Sequence, residues 1–156
     1  MIPVGSTVDI ENETEYAIDT DALVRQTHFM FSQLRLHPDT EVSILLVDEE
    51  YMSQLHVEWM DEEGPTDVLS FPMDELVAPE PGQEGEGGIL GDIALCPAFA
   101  ERQAAANGQT LDEELAMLLT HGILHCLGHD HLEPEEHAVM FELQAKLLKE
   151  WWALDE

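Results

Sequence analysis

Positive charge is what this chain most conspicuously lacks. Its 156 residues include five Lys or Arg against 34 Asp or Glu, for a formal net charge of −29. A surface so acidic repels phosphate backbones and anionic lipid at long range, so direct electrostatic capture of free nucleic acid is not expected. Cysteine is scarce too. Cys96 and Cys126 are the two present, too few for a disulfide framework, and each reads as a small buried apolar residue in a reducing compartment. No apolar run reaches 18 residues, which excludes a spanning helix on hydropathy. The opening "MIPVGSTVDIENE" has neither a basic start nor an apolar stretch, so no secretory signal is expected. What is present is enough apolar residue, 44%, to bury a core. The expectation is one soluble cytoplasmic domain over residues 1–156.

Along the chain, "TVDIENET" alternates as a strand does. Residues 20–36 place Leu23, Thr27, Met30, Phe31 and Leu34 on one helical stripe. "TEVSILLVD" reads as a strand buried on both faces. "DEEYMSQLHVEW" reads as a helix with acids at its N-terminus. A short strand in "PTDVLSFP" follows, then a mobile loop at about 73–88 rich in Pro, Gly and Glu. "ILGDIALC" is another strand, whose Gly91 marks a bulge or a close backbone approach. A helix then begins at Pro97 and stops before Gly108. Thr110 with Glu113 forms a capping-box pattern ahead of a broadly apolar helix carrying Leu111, Leu115, Leu118, Leu119 and Leu124. Pro134, Glu135 and Glu136 open a last helix. The fold class is α+β: a single domain with a small mixed β-sheet packed by helices.

Chemistry concentrates in "THGILHCLGHDH", residues 120–131. His121 and His125, four apart on a helix, project from one face and can reach one ion. Gly128 permits the positive φ that ends the helix, after which His131 can supply a third nitrogen. Three neutral imidazoles with one open position form the catalytic type of zinc site, here at the C-terminal end of a central buried helix. His129 is open between a fourth ligand, a donor behind the ligands and a solvated side chain. Asp130 either orients a ligand imidazole or caps a turn. Cys126 points about 100° away from His125 and reads as core. His28, His37, His56 and His137 carry no pattern.

The spacing of His121, His125, Gly128 and His131 resembles the metzincin proteases, but Gly122 occupies the position of their glutamate base, which disfavours peptide hydrolysis. A second resemblance covers more of the chain. "HGILHCLGHDH" looks like the signature of the YbeY family of metal-dependent endoribonucleases, H-G-x-L-H-L-x-G-Y-D-H. "GPTDVLSFP" at 64–72 and "LGDIALC" at 90–96 agree with it in the same order. The resemblance implies an α+β fold and one zinc ion held by His121, His125 and His131. It also implies a single-strand-specific endoribonuclease that matures the 16S rRNA 3′ end by metal-activated attack of water on a phosphodiester, with a part in ribosome quality control. Its partners would be ribosomal RNA and the small ribosomal subunit.

In the matching motifs Thr66, Asp67, Ser70 and Asp92 are structural or stand behind the ligands by default, with Asp67 and Asp92 the candidates for a catalytic carboxylate. His129 stands where the family has tyrosine, Cys126 where it has leucine, and Met60 where it has an arginine suited to phosphate. With −29 charges, substrate would be held through the metal, backbone N–H groups and a basic ribosomal protein. The rival readings are a non-catalytic zinc-containing ribosome assembly factor and, below it, a metzincin-like peptidase.

Overall fold

The computed structural model describes residues 7–60, 64, 66–80, 82, 83, 85, 87–128 and 134–154. The chain folds as β1 (Thr7–Asn12), α1 (Thr20–Gln33), β2 (Glu41–Leu46), α2 (Glu49–Met60), β3 (Val68–Pro72), β4 (Ile89–Leu95), α3 (Pro97–Ala106), α4 (Leu111–Cys126) and α5 (Pro134–Ala153). The four strands form one sheet in the order β1-β2-β4-β3. β1–β2 and β2–β4 are parallel, and β3 joins as an antiparallel edge. This is the α+β mixed-sheet domain that the element pattern predicts.

Local chemistry sets the boundaries. Asp19 caps α1 by accepting from Ala22 N at 3.1 Å. Thr110 and Glu113 make both bonds of the capping box at the start of α4, at 3.1 and 2.9 Å. Gly128, at φ 91°, takes the chain out of α4 in a conformation that side chains with a Cβ rarely adopt. Gly91 is a close approach as well as a bulge. The β2–β4 register shifts beside it, and a Cβ there would lie 2.3 Å from the Phe71 carbonyl oxygen.

The main core lies between one sheet face and helices α1, α4 and α5, with Met30, Ile44, Leu46, Ile93, Leu119, Ile123 and Met140 at its centre. The predicted α1 stripe of Leu23, Thr27, Met30, Phe31 and Leu34 is buried as expected. A smaller cluster, Val47, Met52, Leu69, Ala94 and Cys96, fills the opposite sheet face with Leu55 and Phe71 packed against it. Helix α2 contributes Met52 and Leu55 to that cluster, and Trp59 of α2 meets Phe71 edge-on at 5.9 Å.

The expectation that β2 is buried on both faces is corrected here. Val42, Ile44 and Leu46 are buried, while Ser43 is exposed and Leu45 half-buried. Helix α2 covers only part of that face, so β2 alternates like a half-solvated strand. The loop from 73 to 88, of which 81, 84 and 86 lie outside the described residues, carries Leu76 in the core and Asp74, which accepts from Ile89 N at 2.7 Å. Arg35 donates to Pro79 O at 3.0 Å from the end of α1.

Two buried polar residues of the helical layer escaped sequence reasoning. Gln26 on α1, 1% exposed, donates to Ala116 O at 2.8 Å and to Thr120 Oγ1 at 3.0 Å on α4. Each such bond contributes about 1 kcal/mol net, and together they set α1 against α4 one residue before His121. Glu114 on α4 is 2% exposed. Burial, helped by the Asp67 carboxylate nearby, raises its pKa above the ordinary 4.5.

Because the folded-state pKa of Glu114 lies above the unfolded one, the native protein holds the proton more tightly. The associated stability is complete below the unfolded pKa and is lost as pH rises through the folded one. Glu114→Gln should therefore raise the thermal midpoint at pH 7 relative to wild type. The gap should shrink as pH falls toward the ordinary 4.5, measured by denaturation scans across that window.

Candidate metal centre

Helix α4 is buried around most of its circumference, and the half-buried stripe it keeps consists of Met117, His121 and His125. The four-residue spacing puts both imidazoles on this stripe, with ring centroids 5.9 Å apart and planes inclined by 47°. Helix α5 supports the first of them. Gln144 Oε1, on a side chain 6% exposed, lies 2.9 Å from His121 Nδ1, and the Phe141 ring centre is 5.8 Å from that of His121. When His121 Nδ1 donates its proton to this oxygen, the lone pair of the imidazole is on Nε2. Neither Gln144 nor Phe141 stood out in the sequence, since a helical glutamine so far from the motif carries no local signal.

The opposite side of α4 lies on the sheet, and Gly122 is what lets it lie close. A Cβ at Gly122 would meet Ile93 Cγ2 at 3.0 Å and Ser70 Oγ at 3.1 Å. Ser70 donates to Gly122 O at 3.3 Å, joining edge strand β3 to the helix between the two histidines. The position after His121 therefore faces packed sheet, and a side chain there would have to displace Ile93 and Ser70 by a few tenths of an ångström.

Cys126 shares the buried side at 1% exposure. Burial first, and the Asp92 carboxylate second, push its thiol up to about 12 against the lowering effect of a hydrogen bond with Ser70. At neutral pH it is a protonated core thiol and not a thiolate ligand.

The carboxylate candidates sit elsewhere. Asp67 Oδ1 accepts from Val68 N at 2.8 Å and Thr66 Oγ1 at 3.2 Å, a cap on the start of β3. Asp92 follows strand alternation. Ile93 packs under Gly122, so Asp92 points to the other sheet face, where it pairs with Phe71. There it lines a groove of about 1060 Å³ with Asp9, Glu11, Ser43, Trp59 and Met60. No Lys or Arg is among the described lining residues. Met60, in the place of the expected arginine, is 45% exposed at the end of α2.

Of the chain's cations, Arg102 is engaged by Glu49 through bonds of 2.6 and 2.8 Å, and Lys146 lies 4.0 Å from Glu150. Among the described residues no group of three metal-ligating side chains forms, and the His121–His125 pair supplies two donors. His129, Asp130 and His131 lie outside the described residues. No described helix is long and apolar enough to cross a membrane.

These features define a class: a small α+β domain presenting paired, buttressed imidazoles on one side of its central helix. The family model described as Endoribonuclease YbeY matches residues 9–152. A Thermobifida fusca protein named Endoribonuclease YbeY is 53% identical over 144 residues, covering 92% of this chain and 93% of its own length. A Mycolicibacterium smegmatis protein of the same name is 48% identical over 152 residues, 94% of this chain and 83% of that one. The solution structure of TM1509 from Thermotoga maritima superposes with a TM-score of 0.64 at 29% identity, over 94% of this chain and 89% of that one. The chain belongs to the endoribonuclease YbeY family, and the hydrolase class expected from the sequence stands with it.

Gly122→Glu, which restores the protease-like glutamate, should cost on the order of 3 kcal/mol in denaturant unfolding and confer no peptidase activity. Wild-type stability in that variant would show that the helix–sheet contact tolerates a long side chain.

Proposed function

We propose that this protein is a zinc-dependent, single-strand-specific endoribonuclease that acts in the cytoplasm on ribosomal RNA. Its tasks would be maturation of the 16S rRNA 3′ end and ribosome quality control. The observation that carries this is the His121–His125 pair on the half-buried stripe of α4, 5.9 Å apart and braced by Gln144, in a chain whose relatives are named endoribonuclease.

Imidazole nitrogens suit zinc over magnesium or calcium, which take oxygen ligands, so the described donors fit this ion. His121 and His125, with His131 as the expected third, would hold it. A divalent ion so bound would polarise a phosphoryl oxygen and acidify water. The chain's own residues do the rest. Gln144 orients one imidazole, while Ser70 and Gly122 set the height of the histidine stripe above the sheet edge. Asp92 faces the groove on the other sheet face, which favours a positioning or docking part for it over that of a base beside the histidines.

Substrate holding is the unusual aspect. With no Lys or Arg lining the groove and Met60 in the arginine position, free RNA finds little direct charge pairing. The small ribosomal subunit would present the RNA, with a basic ribosomal protein against the face that carries Asp9, Glu11 and Asp92. The same absence of cations favours a second reading, a zinc-containing assembly factor that does no chemistry.

Labelled RNA spanning the 16S 3′ end, free and within small subunits, separates the two readings. Wild type should cleave, faster on the subunit, and His125→Ala or a chelator should lower the rate by at least ~100-fold, with zinc restoring only the chelated wild type. Cleavage by neither protein on either substrate would leave the assembly factor.

A further inference from the structure

Gln144 is distant from the histidine motif, lies on another helix and is polar in a buried place. It is one of six buried polar or charged residues among the described ones, and its oxygen faces the ring nitrogen of a histidine on the exposed-side stripe of α4. A bond whose purpose was only to join α4 and α5 could be replaced by apolar packing, since Met140 and Leu147 already fill that side of α5. The oxygen at 2.9 Å from Nδ1 does something that packing cannot. An acceptor there selects the imidazole tautomer with its proton on Nδ1 and its lone pair on Nε2, and it fixes the plane of the ring. The Phe141 ring, 5.8 Å away, limits rotation from the same helix.

We infer that Gln144 is a positioning residue that pre-sets His121 as an Nε2 ligand, so that α5 tunes the metal affinity of a site built on α4. The inference rests on the metal reading proposed above and deepens it. An uncharged amide acceptor sets orientation without adding a further negative charge to a chain of net charge −29. It also makes the affinity of the site depend on the docking of α5, because the acceptor is 23 residues from the imidazole it orients.

The test uses the full chain stripped of metal, with zinc and cobalt(II) as probes in competition with a chelator, beside thermal unfolding of the metal-free proteins. Gln144→Leu should weaken both metals by about 10- to 100-fold and shift the cobalt absorption bands. Gln144→Glu, which keeps an acceptor, should return affinity to within several-fold of wild type. The metal-free unfolding midpoints should not rank the variants in the same order. Wild-type affinity and an unchanged cobalt spectrum in Gln144→Leu would overturn the inference while leaving the metal site intact.

No binding by wild type, or binding unaffected by His125→Ala, would remove the metal reading itself and the inference with it. Should Gln144→Leu not fold, ring-nitrogen NMR of metal-free wild type at about pH 8, where imidazoles are neutral, decides. His121 protonated on Nδ1 supports the assignment, and protonation on Nε2 overturns it.

Discussion

The chemistry of this molecule depends on how closely helix α4 lies on the sheet. The contact is made at Gly122, where a single added carbon would press on Ile93 and Ser70. With that residue reduced to backbone, the helix sinks until almost its whole circumference is covered, and the stripe that remains half-buried is the one bearing His121 and His125. Two side-chain amides then hold the helix from opposite partners. Gln26 reaches from α1 to Ala116 and Thr120, and Gln144 reaches from α5 to His121. The imidazole pair is thus carried by packed helices, while the adjoining residues 129–131 lie outside the described chain.

The two faces of the sheet divide the work. One is sealed by α1, α4 and α5 around an apolar core. The other is closed only partly by α2, and there Asp9, Glu11 and Asp92 line an open groove with aromatic and apolar walls. Strand alternation alone assigns Asp92 to that side, away from the helix that carries the histidines. In a chain of net charge −29 this groove concentrates negative potential in a concave place. It therefore favours a cationic surface over a bare phosphate backbone.

Much of this was legible in advance. Each helix and strand among the described residues is legible in periodicity, apolar runs, the Thr110–Glu113 capping box and the punctuation by Pro97, Gly108 and Gly128. Membership of the family was readable from three short motifs in order. Burial of β2 on one face only is not legible, because an apolar run does not say whether a second layer exists to cover it. Gln26 and Gln144 were invisible because a glutamine in a helix is ordinarily a solvated residue; only the neighbour that each meets makes it otherwise. In the sequence Gly122 is only a missing glutamate, whereas its positive role, clearance for Ile93 and Ser70, needs the sheet in place.

By itself, then, the sequence determined the elements, their caps and the pairing of His121 with His125, because each depends on residues within about a turn of one another. Tertiary structure decided which stripe of α4 stays half-open, which sheet face receives Asp92, and which amide meets His121. Those outcomes rest on contacts between residues far apart along the chain: 52 between Ser70 and Gly122, 90 between Gln26 and Ala116, and 23 between His121 and Gln144. Packing in three dimensions brings such pairs together, and no local pattern of residues encodes their meeting.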